Sequence, residues 1–271
     1  MTYALIFLSL FHAVLYVACI YAAVAISPLE HSSSRDHPLV IRRRMRGALA
    51  ATLASLVITA LVLRPLDWVE QLGLSPHAAG GSLGVGLFLT LLLYLGPLWV
   101  GHLDGAFAWE HVRHSLRQAM WDAASWRNYA VGPLTEELVF RAATVPLWLA
   151  SGLSPLVCVA VSPLVFAVAH VHHAVAAWCG GEALPKVLGR MAVQLAYTSV
   201  FGCYAAALFV RTRSVAGSVA AHVVCNVMGL PSVERIAEHG KYKYALWIAH
   251  VVGLLGMVLL FEPMTRPGVF V

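Results

Sequence analysis

Apolar and polar positions in this chain fall in long blocks, not in the short periods of soluble helices or strands. Nearly uninterrupted apolar stretches cover about residues 4–26, 47–66, 83–101, 129–150, 155–170, 191–210, 215–230 and 244–261, with polar residues gathered between them. A helix needs about 20 apolar residues to cross a bilayer. The pattern therefore predicts an all-α, polytopic membrane helix bundle of about eight transmembrane helices. The fifth and seventh stretches are short for a crossing and fit if tilted or enclosed by the others. The first lacks a basic leader and exceeds the usual length of a secretory signal core, so it reads as a spanning helix.

The connections carry their own signals. Between Leu103 and Asn128, Phe107, Val112, Leu116, Met120 and Trp126 recur at roughly helical spacing amid charge. That spacing predicts an amphipathic helix, either lying in the headgroup region or packed on the bundle. After His170 come His172, His173, a Gly pair and Pro185, which predict a loop before the next span. His172 and His173 face the headgroups on this reading and have no assigned role. No linker divides the chain, so a single membrane-embedded domain over residues 1–271 is expected.

Composition agrees with the pattern. Of 271 residues, 60% are hydrophobic and only 11% charged, with a mean hydropathy of +0.77. A soluble domain carries about 25% charged residues. The net charge of +5 and pI near 9.1 would suit a nucleic-acid partner, but the basic residues sit in short connections, and no nucleic-acid motif is present. Membrane lipid headgroups are the expected contact. With alternating loops, thirteen Lys and Arg fall on the side of the Arg42–Arg46 cluster and four on the other. This bias puts both termini outside the cytosol. The five cysteines form no CxxC pair and lie mostly in apolar stretches, as buried thiols do.

Chemistry enters in the fourth stretch, which holds Glu136, Glu137 and Arg141 in an otherwise apolar run. One charge at the centre of a membrane helix costs about 2.5 to 3.5 kcal/mol on insertion scales. Glu137 and Arg141 are four apart and share a helix face, which suits pairing. Glu136 diverges from Glu137 by about 100° and is left to act elsewhere. His170 ends the fifth stretch. His222 and Asn226, again four apart, offer two donors toward one point, as a developing oxyanion needs. A carboxylate beside an imidazole can take a proton from water. The residues alone leave alternatives open. The three charges could simply fasten helices. Glu136, His170 and His222 could hold zinc. Cys225, three residues after His222, could be a thiol nucleophile.

Three ordered motifs narrow this. EELVFR (Glu136–Arg141), FAVAH (Phe166–His170) and HVVCN (His222–Asn226) match the EExxxR, FxxxH and HxxxN signatures of the CAAX protease and bacteriocin-processing superfamily. With its flanking text, the segment from Arg127 to Pro231 resembles more closely the Rce1-type CAAX prenyl endopeptidases. The resemblance implies an eight-helix enzyme of the endoplasmic reticulum membrane. Such enzymes cleave after the prenylated cysteine of a C-terminal CaaX sequence and release the last three residues. Prenylated CaaX proteins such as small GTPases are the implied partners. The family is understood as a glutamate-dependent protease without catalytic metal or other cofactor. Carried onto this chain, Glu136 activates water with help from His170, while His222 and Asn226 stabilise the oxyanion; Glu137 and Arg141 are supporting. Two alternatives stand beside it. One is a related membrane protease acting on unprenylated peptides, the other a non-enzymatic transporter or scaffold.

Overall fold

The computed structural model describes residues 2–25, 36–64 and 67–270. The expected helix ends at Ile26 and Leu66, the basic residue Arg35 and the side chain of His173 lie outside the described residues. The N-terminal half comprises α1 (Thr2–Ala25), α2 (Pro38–Leu63), the single turn α3 (Trp68–Gln71), α4 (Pro76–Leu93), α5 (Leu95–Leu103) and α6 (Trp109–Trp121). A helix containing the three intramembrane charges follows as α7 (Ala123–Trp126), α8 (Gly132–Glu137) and α9 (Thr144–Ala150), joined by π-helical segments Arg127–Val131 and Leu138–Ala143. The rest is α10 (Pro155–Ala169), α11 (Val171–Cys179), α12 (Leu184–Thr212), α13 (Val215–Met228), the short α14 (Val233–Glu238) and α15 (Lys243–Met264).

The molecule is an all-α polytopic membrane bundle. Among the described residues, six stretches are long and apolar enough to cross a bilayer: Tyr3–Ala25, Pro38–Leu63, Trp68–Leu93, Pro155–Cys179, Leu184–Thr212 and Gly240–Met264. Two of the eight expected crossings fall short of that measure. The α7–α9 stretch carries charge and is divided by π-helical segments, and α13 is apolar but short. Large apolar side chains such as Phe7, Leu156 and Leu259 point outward, which is costly in water and costs nothing in lipid.

Several boundaries differ from the sequence reading, each for a local reason. Helix α2 begins at Pro38, so the Arg42–Arg46 cluster lies on its first turns and not in a loop. Pro38 is tolerated there because a first-turn N–H has no helical partner to lose. The stretch after His170 is helical as far as Cys179, and the break falls at the Gly180–Gly181 pair. This extension gives the short fifth stretch its full length. On α6 no residue is buried, and Trp109, Leu116, Met120 and Trp121 are exposed. It is not packed on the bundle; its open apolar face is what an interfacial helix presents.

The three most extensive helix pairs are α1 with α2, α4 with α13, and α10 with α12. Each has a glycine at its crossing. A Cβ on Gly47 would collide with the Cys19 carbonyl, and one on Gly86 with the Gly217 backbone. One on Gly202 would come to 2.6 Å from the Pro163 Cβ. Small residues let membrane helices approach until their backbones touch. These approaches fix α10, α12 and α13 around the charged helix.

Candidate active site

The two π-helical segments have a covalent cause in the sequence. A proline inside a helix removes one N–H and crowds the carbonyl four residues earlier. Pro133 does this to Tyr129 and Pro146 to Ala142, and each of those residues lies in a π-helical segment. Side-chain hydroxyls serve two displaced carbonyls: Thr59 donates to Ala143 O at 3.0 Å, and Thr144 to Val139 O at 2.9 Å. Between the two segments sits α8, which ends on Glu136 and Glu137.

Glu137 is fully buried. Its Oε1 accepts from Arg141 Nη1 at 2.9 Å and from His222 Nδ1 at 2.7 Å. Arg141 is also buried, lies over the rings of Phe166 at 4.8 Å and Phe201 at 5.6 Å, and donates from Nη2 to Gly202 O at 3.4 Å. A buried ion pair held by further hydrogen bonds is costly to break, because the remaining charge is then stranded. Glu137 thus spans helices: through Oε1 it ties Arg141 of its own helix to His222 of α13.

Glu136 faces the other way. Its side chain is 23% exposed, against 0% for Glu137, and its Oε2 lies 3.8 Å from His222 Nε2. His222 therefore stands between the two carboxylates. His170, at the end of α10, donates from Nδ1 to the Phe166 carbonyl at 2.8 Å. A carbonyl can only accept, so in the neutral ring Nε2 carries the lone pair. Asn226 donates from Nδ2 to the Asn128 carbonyl at 2.8 Å, which anchors it to the first π-helical segment.

Two cavities meet at these residues. The larger, about 840 Å³, is lined by apolar and aromatic groups including Leu93, Phe166, Tyr197, Phe201, Tyr204 and Met257, together with Cys225. The smaller, about 210 Å³, is lined by Tyr16, Arg44, Arg127, Asn128, Thr135 and His172 among others. Glu136, His170 and Asn226 line both, and His222 lines the larger. A group reaching across from one cavity to the other passes a carboxylate, a basic imidazole nitrogen and an amide. That is the equipment for adding water to a carbonyl. It includes a proton acceptor beside the reacting centre and a donor for the oxygen that gains charge.

Several neighbours gave no signal in the sequence. Tyr16 of α1 shares a 2.9 Å hydrogen bond with Thr135 at the smaller cavity's wall. Tyr94 donates to Gly229 O at 3.0 Å, holding the end of α13. Each joins residues more than a hundred positions apart, where no periodicity points. Asn128 was within reach, since it stands one residue after Arg127 at the start of the motif-bearing segment.

Comparison with known proteins gives a consistent picture. The family described as "Type II CAAX prenyl endopeptidase Rce1-like" matches residues 119–228. The chain is 30% identical to "CAAX prenyl protease 2" of Arabidopsis thaliana, over 94% of this chain and 87% of that protein. It is 32% identical to the Homo sapiens protein of the same name, over 94% and 81% respectively. For the "Probable CAAX prenyl protease 2" of Schizosaccharomyces pombe the identity is 32%, over 94% and 90%. No solved structure matches.

Proposed function

The chain belongs to the Rce1-like family of type II CAAX prenyl endopeptidases, and we propose that it removes the C-terminal tripeptide from prenylated CaaX proteins at the Glu136–His170–His222–Asn226 site. It is an intramembrane, glutamate-dependent peptidase. One observation carries the assignment of the site: Glu136, His170 and Asn226 form the shared wall of an apolar and a polar cavity. A lipidated peptide has this same division. Its prenyl chain suits the 840 Å³ apolar cavity and its peptide end the smaller one.

In the proposed reaction a water between Glu136 and His170 attacks the carbonyl carbon of the prenylated cysteine. Its proton passes to Glu136 or to His170 Nε2, the oxygen of the carbonyl becomes the oxyanion, and the C–N bond is still intact. Collapse of this intermediate breaks that bond. The acquired proton is returned to the departing amine, leaving a prenylcysteine carboxylate and a free tripeptide. Asn226 donates to the oxyanion through its amide. Nδ1–H of His222 is committed to Glu137, so donation from Nε2 requires the doubly protonated ring. In that form Glu136, Glu137, Arg141 and His222 together carry no net charge, which suits a buried cluster.

Residues 1–271 act as one domain of eight crossings, with α7–α9 and α13 as the two that length and composition do not reveal. The segment 127–231 contains the whole motif set. Substrates are small GTPases and other prenylated proteins, and the enzyme resides in the endoplasmic reticulum membrane. The test is turnover of matched prenylated and unprenylated CaaX peptides by detergent-purified protein, with and without chelator. Cleavage of the prenylated peptide alone, unaffected by chelator, supports the reading. Equal cleavage of both points to a protease without lipid selectivity, and no cleavage of either points away from an enzyme.

A further inference from the structure

The smaller cavity has a chemistry that water activation does not use. Two guanidinium groups, Arg44 of α2 and Arg127 at the start of the first π-helical segment, line it together with Asn128. The larger cavity has no Lys or Arg among its described lining residues, and its one carboxylate is Glu136. Charge is therefore divided between the two sides of the wall, apolar on one and cationic on the other. If the site works as proposed above, the polypeptide on the far side of the scissile bond is three residues long and ends in a carboxylate. That anion must be held inside a bilayer-embedded protein near Glu136, which repels it.

We propose that Arg44 and Arg127 form the subsite that receives the substrate's C-terminal carboxylate, and so measure the tripeptide to be released. Length is consistent with this. Arg127 and Glu136 lie nine positions apart on one unbroken helical stretch, roughly 13 Å along its axis. Three extended residues span about 10 Å, and an arginine side chain covers the remainder. Arg127 already binds a carboxylate, with Nη1 at 3.0 Å from Asp36 Oδ1, and its Nε donates to Asn128 Oδ1 at 2.9 Å. Asp36 is largely exposed, so this resident partner is weakly held, and the guanidinium fork has further N–H groups for a second carboxylate. Arg44 lies over the Tyr21 ring at 5.4 Å, which limits its freedom before any ligand arrives. The subsite also touches the catalytic wall directly. The Asn128 carbonyl is the group that holds Asn226, so Arg127 and the anchor of the candidate oxyanion donor share one helical turn.

The experiment compares a prenylated CaaX peptide bearing a free C-terminal carboxylate with the same peptide as its C-terminal amide. A charge-assisted bond that is lost costs about ten- to a hundredfold. The parent enzyme should therefore show that preference for the acid in kcat/KM, and the Arg44→Gln/Arg127→Gln double variant should lose it by turning over the acid at close to the amide's rate. If the double variant does not fold, each single variant is read in the same way, with a partial loss expected. A parent that cleaves acid and amide alike overturns the subsite and leaves the proposed function standing. A variant that slows both peptides equally assigns the arginines to structure and also overturns the subsite. A parent that cleaves no prenylated peptide overturns the proposed function itself.

Discussion

His222 Nδ1 and Glu137 Oε1 lie 2.7 Å apart although 85 residues separate them in the chain. This bond joins α13 to the charged helix and fixes which ring nitrogen of His222 turns toward Glu136. The same oxygen accepts from Arg141, so both of these bonds fall on Glu137 Oε1. Glu136, its neighbour, is the carboxylate that reaches the cavities.

Glu136→Gln and Glu137→Gln should therefore fail differently. Removing a general base typically costs about a hundred- to ten-thousandfold, so with Glu136 in the role proposed for it, Glu136→Gln should lose turnover while melting at the parent's temperature in detergent. Glu137→Gln should lower the melting temperature as well as activity. A Glu137→Gln variant as stable as the parent and as inactive as Glu136→Gln would show that the two roles are exchanged or shared.

Arg141→Ala takes from the buried Glu137 carboxylate its guanidinium partner and leaves it the bond from His222. Breaking a buried pair from one side costs about 3 to 5 kcal/mol. A clear drop in thermal stability is expected, and Arg141→Lys should recover only part, since an ammonium lacks the planar fork that reaches both Glu137 and Gly202. Stability of both variants in detergent, followed by light scattering on heating, checks this.

Asn226→Ala should act on kcat far more than on KM, because the work on the oxyanion proposed for its amide is done in the transition state. Loss of one such donor costs about a hundred- to a thousandfold. Asn226 also anchors the first π-helical segment at Asn128. A variant that loses stability with unchanged kcat would make that anchor its whole role.

Gly86→Val should disturb the site from a distance. The residue touches the Gly217 backbone, and Gly217 lies on α13 five positions before His222. Overpacking costs about 1 to 3 kcal/mol, and here it is relieved by moving the helix that presents His222. Activity should fall together with stability, whereas Gly84→Val, at an open position on the same helix, should leave both unchanged.

The Lys and Arg bias predicts that the basic connections face the cytosol. A glycosylation acceptor inserted at Gly181 should stay unmodified and one beside Ser75 should be modified. Modification of the first would reverse the orientation.

Much of this was legible in the sequence because membrane helices state their chemistry sparingly. Three charges in an apolar run announce a built site, and four-residue spacing is enough to pair Glu137 with Arg141. The path of the backbone was harder to read. Pro133 and Pro146 signal trouble in a helix but not that it is resolved by π-helical segments instead of a break. Hydropathy saw a polar loop after His170 where the chain keeps its helix to Cys179, since His172 and the alanines beyond it are compatible with both. Links such as Tyr16 to Thr135 come from three-dimensional packing alone.

The two π-helical segments confine the charged helix's intolerance of length changes to α8 between them. Each π-helical segment closes its hydrogen bonds over five residues instead of four and can absorb the loss of one by reverting to α-helix, whereas α8 has no such slack, and a deletion within it turns one side against the other by about 100°. Glu136 would then be swung toward a neighbouring helix and Glu137 out of reach of His222. Deleting Leu134 or Thr135 should be fatal, whereas deleting Ala130 in the first π-helical segment, or a residue between Gly180 and Ala183, should be absorbed. For anyone reshaping this enzyme, the residue count of α8 is fixed, while each π-helical segment has one residue to give.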